Sequence, residues 1–219
     1  LAARASSARA HVYLHGLDAA VQHPAYRALW HPAIRRMEGV IANSQPTAEL
    51  ARNLGVAAEK IRIVHPGVTL PTAPQSATAL QDFRQRHQLG NKRLLLSVGR
   101  LTTRKGLREF VQQALPAIVQ AAPDTLLAIV GDAPAHSLHA SVQTRASIQA
   151  MADAAGIGQH LRFLGVITDP QELACAYESA SLHIFPVRKL PGDTEGLARV
   201  AIEAAAHGLP TVAFATGGR

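Results

Sequence analysis

The chain has 219 residues, of which 47% are hydrophobic and 4% aromatic, a composition typical of one large or two small globular domains. Cys175 is its only cysteine, which excludes an internal disulfide bond and makes a reducing, cytoplasmic compartment the expected one. No segment approaches the run of about 18 apolar residues that a membrane-spanning helix needs, and the first residues lack the apolar stretch of a signal peptide, so neither is expected.

The formal net charge of +7 favours anionic partners. A nucleotide diphosphate, an anionic membrane surface and nucleic acid all fit this charge. Nucleic acid is not expected, because the basic residues are scattered and lack both interleaved aromatic residues and zinc-finger spacing. The charge is compatible with a cytoplasmic protein that is peripheral at the inner face of a membrane.

The first predicted strand covers residues 11–18 and breaks at Gly16. His15 stands at the carboxyl end of this strand, a position where ligands collect in open parallel sheets. The alternative interpretation is a plain strand-end histidine without a ligand. His11 and His15 lack a third ligand, so no metal site is predicted here.

A helix is predicted over residues 24–37, where apolar side chains recur at helical spacing. These side chains are expected to pack in the core, and they are Tyr26, Leu29, Trp30, Ile34 and Met37. The next predicted elements are a strand at 39–44, a helix at 47–54 and a strand at 60–68.

The segment at residues 69–79 mixes proline with Thr, Ser, Gln and Ala, the composition of a linker. We therefore predict a first domain at 1–70, a linker with a lead-in helix at 71–92, and a second domain at 93–219.

Strands and helices alternate throughout the second predicted domain. The predicted strands lie at 93–99, 126–130, 161–164 and 182–185, and the predicted helices at 106–121, 137–155 and 170–179. Such alternation is typical of βαβ units around a parallel sheet that helices cover on both faces. The predicted fold class is therefore α/β, with Rossmann-like domains.

The segment at residues 99–106, Gly-Arg-Leu-Thr-Thr-Arg-Lys-Gly, joins the first strand of this domain to its helix. It contains neither G-x-G-x-x-G nor G-x-x-x-x-G-K-[ST], so neither a dinucleotide fold nor a P-loop is predicted. A strand-end glycine, Gly99, together with Arg100, Lys105 and a helix N-terminus, is sufficient to bind a diphosphate. Alternatively, these cations are solvated loop residues.

Near the end of the chain, Glu195 and Glu203 lie eight positions apart. Gly196 allows a ligand close to the backbone, and a helix that begins just after it offers unpaired N–H groups to an anion. Glu203 is predicted to lie inside this helix among small apolar residues, where a carboxylate needs a partner such as a ligand hydroxyl. The alternative is a surface Glu195 and a salt-bridged Glu203.

Two glutamates also raise the possibility of a glycosidase. In one helix they would be separated by roughly 12 Å along the axis, whereas hydrolytic carboxylate pairs are about 5 to 9.5 Å apart. The hydrolase interpretation is therefore disfavoured.

The segment Glu-Gly-Leu through Glu-Ala-Ala-Ala-His-Gly-Leu-Pro-Thr-Val-Ala resembles the E-x7-E signature of family-4 retaining glycosyltransferases, which have the GT-B fold. The family usually has Phe and Gly where this chain has Leu197 and Ala198. Val-Gly-Arg followed by Lys-Gly around residues 98–106 and the His-Gly pair at His15 are also similar to family motifs. The resemblance extends over nearly the whole chain.

The resemblance implies a retaining, metal-independent and cofactor-free enzyme. Its donor would be a UDP- or GDP-linked sugar, and its acceptor a sugar or lipid-linked molecule in polysaccharide, glycolipid or cell-envelope glycan synthesis. Arg100 and Lys105 would neutralise the diphosphate, Glu203 would hold the ribose hydroxyls and Glu195 the sugar. The implied catalytic residues are His15 and Glu195, and the implied donor-binding residues are Gly99, Arg100, Lys105, Gly196, Leu197, Ala198 and Glu203.

Two alternatives stay open at this point. One is a GT-B-like module that binds a nucleotide sugar or a partner without turnover, and the other is a related enzyme such as an epimerase or a phosphorylase. We also expect a chain cut at both ends, with a partial first domain, a nearly complete second domain and no transferase activity alone.

Overall fold

The computed structural model describes residues 8–21, 23–134, 143–190 and 197–216. The chain forms two compact units. The first holds the described residues up to Gly67, with Lys189, Leu190, Leu197, Ala198 and Thr216. The second holds the described residues of Val68–Arg188 and Arg199–Ala215.

The first unit is built on a parallel three-stranded sheet in the order β1-β2-β3. Its strands are β1 (His11–Leu14), β2 (Gly39–Ala42) and β3 (Ile61–Ile63), and its helices are α1 (Leu17–Ala20), α2 (Pro24–Arg35) and α3 (Gln45–Asn53). Helix α3 begins where the Ser44 hydroxyl accepts a hydrogen bond from the Thr47 N–H, with a proline in the first turn. Leu14, Val40 and Ile61 share the core of this unit.

Helix α2 lies where the sequence predicts it, but the predicted core packing is wrong for two of its residues. Leu29 and Trp30 are 71% and 57% exposed, and Ile34 is the buried residue of the helix. Helical spacing shows which side chains share a face, but it does not show which part of that face the sheet covers. The first half of α2 is therefore largely exposed.

The second unit is built on a parallel five-stranded sheet in the order β6-β5-β4-β7-β8. Its strands are β4 (Arg93–Val98), β5 (Thr125–Val130), β6 (Leu161–Gly165), β7 (Leu182–Phe185) and β8 (Thr211–Ala213). Its helices are α4 (Ala77–Arg86), α5 (Leu107–Gln113), α6 (Leu115–Ala121), α7 (Arg145–Ala154), α8 (Pro170–Ser179) and α9 (Arg199–Ala206). The predicted α/β class with parallel sheets is confirmed.

Helices cover both faces of this second sheet. On one face α5, α6 and α7 pack against Leu95, Leu127 and Ile129. On the other face α4, α8 and α9 pack against the alternate strand residues, including Leu94 and Leu96. Because both faces are buried, the central strands are apolar at most of their positions, as their sequences indicated.

The helix predicted over residues 106–121 is divided into α5 and α6. Ala114, between them, has φ −111° and ψ −42°. The break follows from Pro116, which has no N–H to donate and whose ring collides with the carbonyl of an uninterrupted helix four residues earlier. Of the helix predicted over residues 137–155, the structure shows α7, and the predicted start is wrong for the described residues 143 and 144, because Thr144 caps the helix by accepting from the Ser147 N–H. Residues 137–142 lie outside the described residues.

Candidate functional site

The carboxyl ends of β4 and β7 form the topological switch point of the second sheet. From β4 the chain crosses to β5 through α5 and α6, whereas from β7 it crosses to β8 through α9 on the opposite face. In open α/β sheets, the two loops that leave such a pair of strands diverge and open a crevice where ligands bind. Gly99, Arg100 and Lys105 lie in the loop that follows β4, so three predicted site residues lie at this point.

Gly99 holds the backbone at the end of β4 in a conformation that side chains rarely permit. Its φ is 146°, and its N–H donates to the Val130 carbonyl at 2.9 Å. Gly131, which follows β5, packs so closely that a β-carbon there would collide with the carbonyl oxygen of Gly99. The two glycines therefore bring the ends of β4 and β5 into backbone contact, and Arg100 follows with an exposed side chain.

Lys105 is carried across the switch point from the β4 side to the β7 side. It ends the 3-10 turn Thr103–Lys105, in which its N–H donates to the Thr102 carbonyl at 2.9 Å. Its Nζ lies 4.8 Å from the centroid of the Phe185 ring, at the end of β7. A cation over an aromatic face is attracted by the ring quadrupole, so the ammonium group is held at the carboxyl end of β7.

The loop after β7 is fixed against the same turn. Gly106, with φ 68°, approaches Pro186 so closely that a β-carbon would collide with the Pro186 carbonyl oxygen. The Arg188 N–H donates to the Arg104 carbonyl at 2.8 Å, and the Arg188 guanidinium pairs with Glu109 at 3.0 Å. The glycine after Lys105 is therefore required both by its backbone conformation and by this contact.

Glu203 is the fifth residue of α9 and its side chain is 26% exposed. The Tyr177 hydroxyl donates to its Oε2 at 3.2 Å, and the Arg199 guanidinium pairs with its Oε1 at 3.3 Å. The partners of this carboxylate in the structure are thus side chains of the chain itself. The alternative of a salt-bridged Glu203 describes one of these contacts, and the predicted ribose contact stays a prediction.

A set of packed aromatic and imidazole rings was not predicted from the sequence, and it consists of Tyr177, His183, Phe185 and His207. His183, on β7, is fully buried, and its Nδ1 lies 3.0 Å from the Thr211 hydroxyl oxygen. Its Nε2 has no hydrogen-bond partner among the described residues. Burial, followed by the charge of Lys105, lowers the pKa of His183 from 6.5 to about 4. The available signal was a histidine inside the apolar run Leu-His-Ile-Phe.

The remaining predicted site residues are described only in part. Glu195 and Gly196 lie outside the described residues. Leu197 and Ala198 are half-buried and come directly before α9, which begins at Arg199. The roles predicted for these four residues stay predictions.

His15 occupies the predicted position at the carboxyl end of β1 in the first unit, with an exposed side chain. Its backbone N–H donates to an Asp18 carboxylate oxygen at 2.8 Å, and its ring centroid lies 4.8 Å from that of Tyr13. The Asn43 side-chain amide donates to the His15 carbonyl at 3.4 Å. These contacts place the residue within its own unit, and its predicted sugar contact stays a prediction.

Two classes of structure are absent from the described part of the chain. Among residues 8–21, 23–134, 143–190 and 197–216, no helix is both long and apolar enough to cross a bilayer. Within the same residues, no group of three or more His, Cys, Asp and Glu side chains is placed to hold a metal ion.

Two family models match the chain. The model described as Glycosyl transferases group 1 matches residues 80–219. The model described as Glycosyltransferase Family 4 matches residues 1–70.

Curated relatives match most of the chain. The GDP-mannose-dependent alpha-(1-6)-phosphatidylinositol monomannoside mannosyltransferase of Mycolicibacterium smegmatis is 34% identical over 155 residues, 70% of this chain and 38% of that protein. The D-inositol 3-phosphate glycosyltransferase 1 of Catenulispora acidiphila is 33% identical over 202 residues, 89% of this chain and 45% of that protein. The chain thus spans less than half the length of these relatives.

A solved structure shares the fold. The crystal structure of Anabaena Alr3699/HepE in complex with UDP-glucose superposes with a TM-score of 0.78 at 20% identity, over 99% of this chain and 56% of that chain. At this level of identity the likeness concerns the fold.

Proposed function

We propose that this chain, which belongs to the group 1 glycosyl transferases of glycosyltransferase family 4 and has the GT-B fold, binds a nucleotide-diphosphate sugar through its second unit. In the full-length protein, the sugar is transferred to an acceptor with retention of the anomeric configuration. The observation that carries this proposal is the position of Lys105, held over Phe185 at the switch point between β4 and β7.

The diphosphate binds beside the side chains of Arg100 and Lys105. Arg100 directly follows β4 with an exposed side chain, and Lys105 reaches the end of β7, so positive charge borders the crevice on both its β4 side and its β7 side. Charge-assisted hydrogen bonds to phosphate are among the strongest available to side chains. Because negative charge grows on the leaving diphosphate as the bond to the sugar breaks, these cations favour the transition state over the bound donor.

The other residues hold parts of the donor that carry hydroxyl groups. Glu203 accepts hydrogen bonds from the ribose hydroxyls, and Glu195, with the backbone of Gly196, Leu197 and Ala198, holds the sugar. His15 has the sugar as its proposed ligand. The acceptor attacks on the face that the diphosphate leaves, and the departing phosphate takes the acceptor's proton, so no protein nucleophile and no metal are required.

The relatives suggest which substrates to try first. The mycobacterial relative is named as dependent on GDP-mannose and acts on a phosphatidylinositol monomannoside, and the Catenulispora relative acts on D-inositol 3-phosphate. The structural neighbour binds UDP-glucose. GDP-mannose and UDP-glucose are therefore the donors to test, with inositol-containing glycolipids and inositol phosphates as acceptors.

A lipid-linked acceptor fits the exposed half of α2. Leu29 and Trp30 are exposed on this helix, which also carries the exposed residues Arg27 and Arg35. Apolar and tryptophan side chains with flanking cations suit the interface of an anionic bilayer. The protein is therefore peripheral at the cytoplasmic face of the membrane.

Vesicle sedimentation tests this contact. The full-length protein should sediment with vesicles of phosphatidylglycerol and less with phosphatidylcholine, and Leu29→Ala with Trp30→Ala should lower the bound fraction. Val166→Ala removes a similarly exposed apolar side chain, 67% exposed, from the second unit and should not. Equal loss with both variants would remove α2 from the contact.

The transfer itself is tested with the full-length protein by acceptor-dependent release of UDP or GDP, and by NMR of the anomeric configuration of the product. Lys105→Ala should abolish most of the release. Binding of a nucleotide sugar without any release, across the acceptor classes above, would favour the non-catalytic module. An inverted product would overturn retention.

A further inference from the structure

We propose that Tyr177 is a positioning residue that holds the Glu203 carboxylate ready to receive the ribose hydroxyls of the donor. The inference rests on the proposed function, which places the ribose at Glu203. It concerns a residue that lies on a different helix, α8, and that no motif of the sequence singles out.

The two oxygens of Glu203 have partners of very different character. Oε2 accepts from the hydroxyl of Tyr177, whose side chain is 1% exposed. Oε1 pairs with Arg199, whose side chain is 63% exposed. An exposed ion pair between residues four apart on a helix is weak and readily exchanged. Oε2 is therefore held in place by a buried partner, whereas the exposed partner of Oε1 can be replaced by a ligand.

The ring of Tyr177 is fixed from both sides. The His207 ring stacks on it at a centroid distance of 5.4 Å and an interplanar angle of 10°. His207 is itself held by the Glu178 carboxylate, 2.8 Å from its Nδ1. The His183 ring meets Tyr177 edge-on at 6.4 Å. A side chain packed in this way has one rotamer, so its hydroxyl is presented at one place.

The phenol is also a constant donor. Burial, followed by the charge of Glu203, raises the pKa of Tyr177 above its ordinary value of 10.0. The hydroxyl therefore stays protonated at neutral pH and can donate to the carboxylate. Its one proton is directed to Oε2, which leaves the lone pairs of Oε1 for a ligand once Arg199 moves aside.

This arrangement determines which contact of the nucleotide depends on the Tyr177 hydroxyl group. A ribose that binds Glu203 displaces an exposed guanidinium group, and it does not have to reorient the carboxylate. Without the Tyr177 hydroxyl the carboxylate is free to rotate toward Arg199, and part of the ribose contact is lost to that motion. The loss should therefore appear in recognition of the ribose hydroxyls and not in recognition of the phosphates.

The experiment compares ribose with deoxyribose. Calorimetry on the full-length protein gives the affinities for UDP and 2′-deoxy-UDP, and for GDP and 2′-deoxy-GDP. We expect the wild type to prefer the ribonucleotide, and Tyr177→Phe to lower this preference about threefold to tenfold, toward that of Glu203→Ala. A destabilised but otherwise intact site would lose affinity for both nucleotides equally.

The chain offers two matched controls. Arg199→Ala removes the exposed partner of the same carboxylate and should not lower the preference. Tyr13→Phe makes the same chemical change in the first unit, where the hydroxyl donates to the Val64 carbonyl at 3.0 Å, and should leave the preference unchanged. If Tyr177→Phe fails to fold by circular dichroism, His207→Ala frees the stacked ring instead and should give an intermediate preference.

The outcomes separate the inference from the proposed function. Full ribose preference in Tyr177→Phe or His207→Ala, with loss in Glu203→Ala, overturns the positioning role and leaves the proposed function standing. Full preference in Glu203→Ala overturns the ribose role of Glu203 and the inference with it.

Discussion

Gly106 and Pro186 are in backbone contact, so close that a hydrogen of the glycine Cα fits against the proline carbonyl oxygen but a β-carbon in its place would not. Gly106 ends the loop that follows β4, and Pro186 begins the loop that follows β7. The contact therefore ties together the two loops of the crevice. Lys105 precedes Gly106 and lies over Phe185, which precedes Pro186.

The first prediction is that Gly106→Ala weakens nucleotide-diphosphate binding while Lys105 is still present. The methyl group has to push the two loops apart, and the ammonium group moves with them. Gly156→Ala is the matched control, because Gly156 has φ 70°, close to the 68° of Gly106, but open space around its β-carbon position. Both variants should lose about 1 to 2 kcal/mol of stability from the strained backbone, and calorimetry should show lost UDP or GDP affinity for Gly106→Ala alone.

The second prediction is that Arg100→Ala or Lys105→Ala weakens the diphosphate far more than the nucleoside. Each substitution removes a charge-assisted contact worth roughly 1.5 to 3 kcal/mol. Lys92→Ala removes the same charge at the opposite end of β4 and should change neither affinity. Equal losses for UDP and uridine, or for GDP and guanosine, would assign Arg100 and Lys105 to another role.

The third prediction separates the two glutamates. Glu203 contacts the ribose, which does not change during the reaction, so Glu203→Gln should lower affinity for the free diphosphate and for the sugar nucleotide alike. Glu195 contacts the sugar, so Glu195→Gln should nearly preserve diphosphate affinity while lowering kcat. Either loss should be about 1 to 3 kcal/mol, because an amide still forms hydrogen bonds.

Calorimetry beside kcat in the full-length protein decides between the two roles. If Glu195→Gln abolishes diphosphate binding and Glu203→Gln leaves it unchanged, the roles proposed for the two glutamates are reversed. If neither variant changes diphosphate affinity or kcat, the two glutamates have a structural role only.

The fourth prediction concerns acid stability. Burial and Lys105 lower the pKa of His183 from 6.5 to about 4, so between these pH values the unfolded chain binds a proton that the folded chain excludes. This contribution to stability is fully present above pH 6.5 and is lost as the pH falls toward about 4, at up to about 1.4 kcal/mol for each pH unit. His183→Phe removes the titration and keeps an aromatic ring beside Phe185.

Urea unfolding of the wild type and His183→Phe at about pH 7 and about pH 5 measures this contribution. The loss of stability between the two pH values should be smaller in the variant. The same loss in both proteins would show that other groups cause it.

Local chemistry explains which elements the sequence could predict. Helix α8 and strand β7 have the predicted bounds, since Asp169 caps the helix by accepting from the Gln171 N–H and Pro170 begins it. The division at Pro116 was also available from local chemistry. By contrast, Tyr177, the buried partner of Glu203, lies on another helix 26 positions earlier, and no local sequence pattern connects the two residues.

The predicted cations were found from their spacing, but their arrangement was not. Lys105 reaches Phe185 because β4 and β7 are neighbours in the sheet, and strand order is a property of the whole fold. The surroundings of His183 also depend on strand order, because the Thr211 hydroxyl group that contacts its Nδ1 lies on the neighbouring strand β8.

The pairing of β4 with β7 also sets the order in which the crevice can form. Leu95 pairs with Leu127 on one side and with Leu182 on the other, partners that lie about 30 and about 90 positions away along the chain. Closing the longer loop costs more entropy, so β4, β5 and β6 are expected to assemble before β7 and β8 dock. The switch point exists only after that docking. Amide hydrogen exchange should therefore be faster in β7 and β8 than in β5. A bound nucleotide should slow the exchange in β7 and β8 more than in β5.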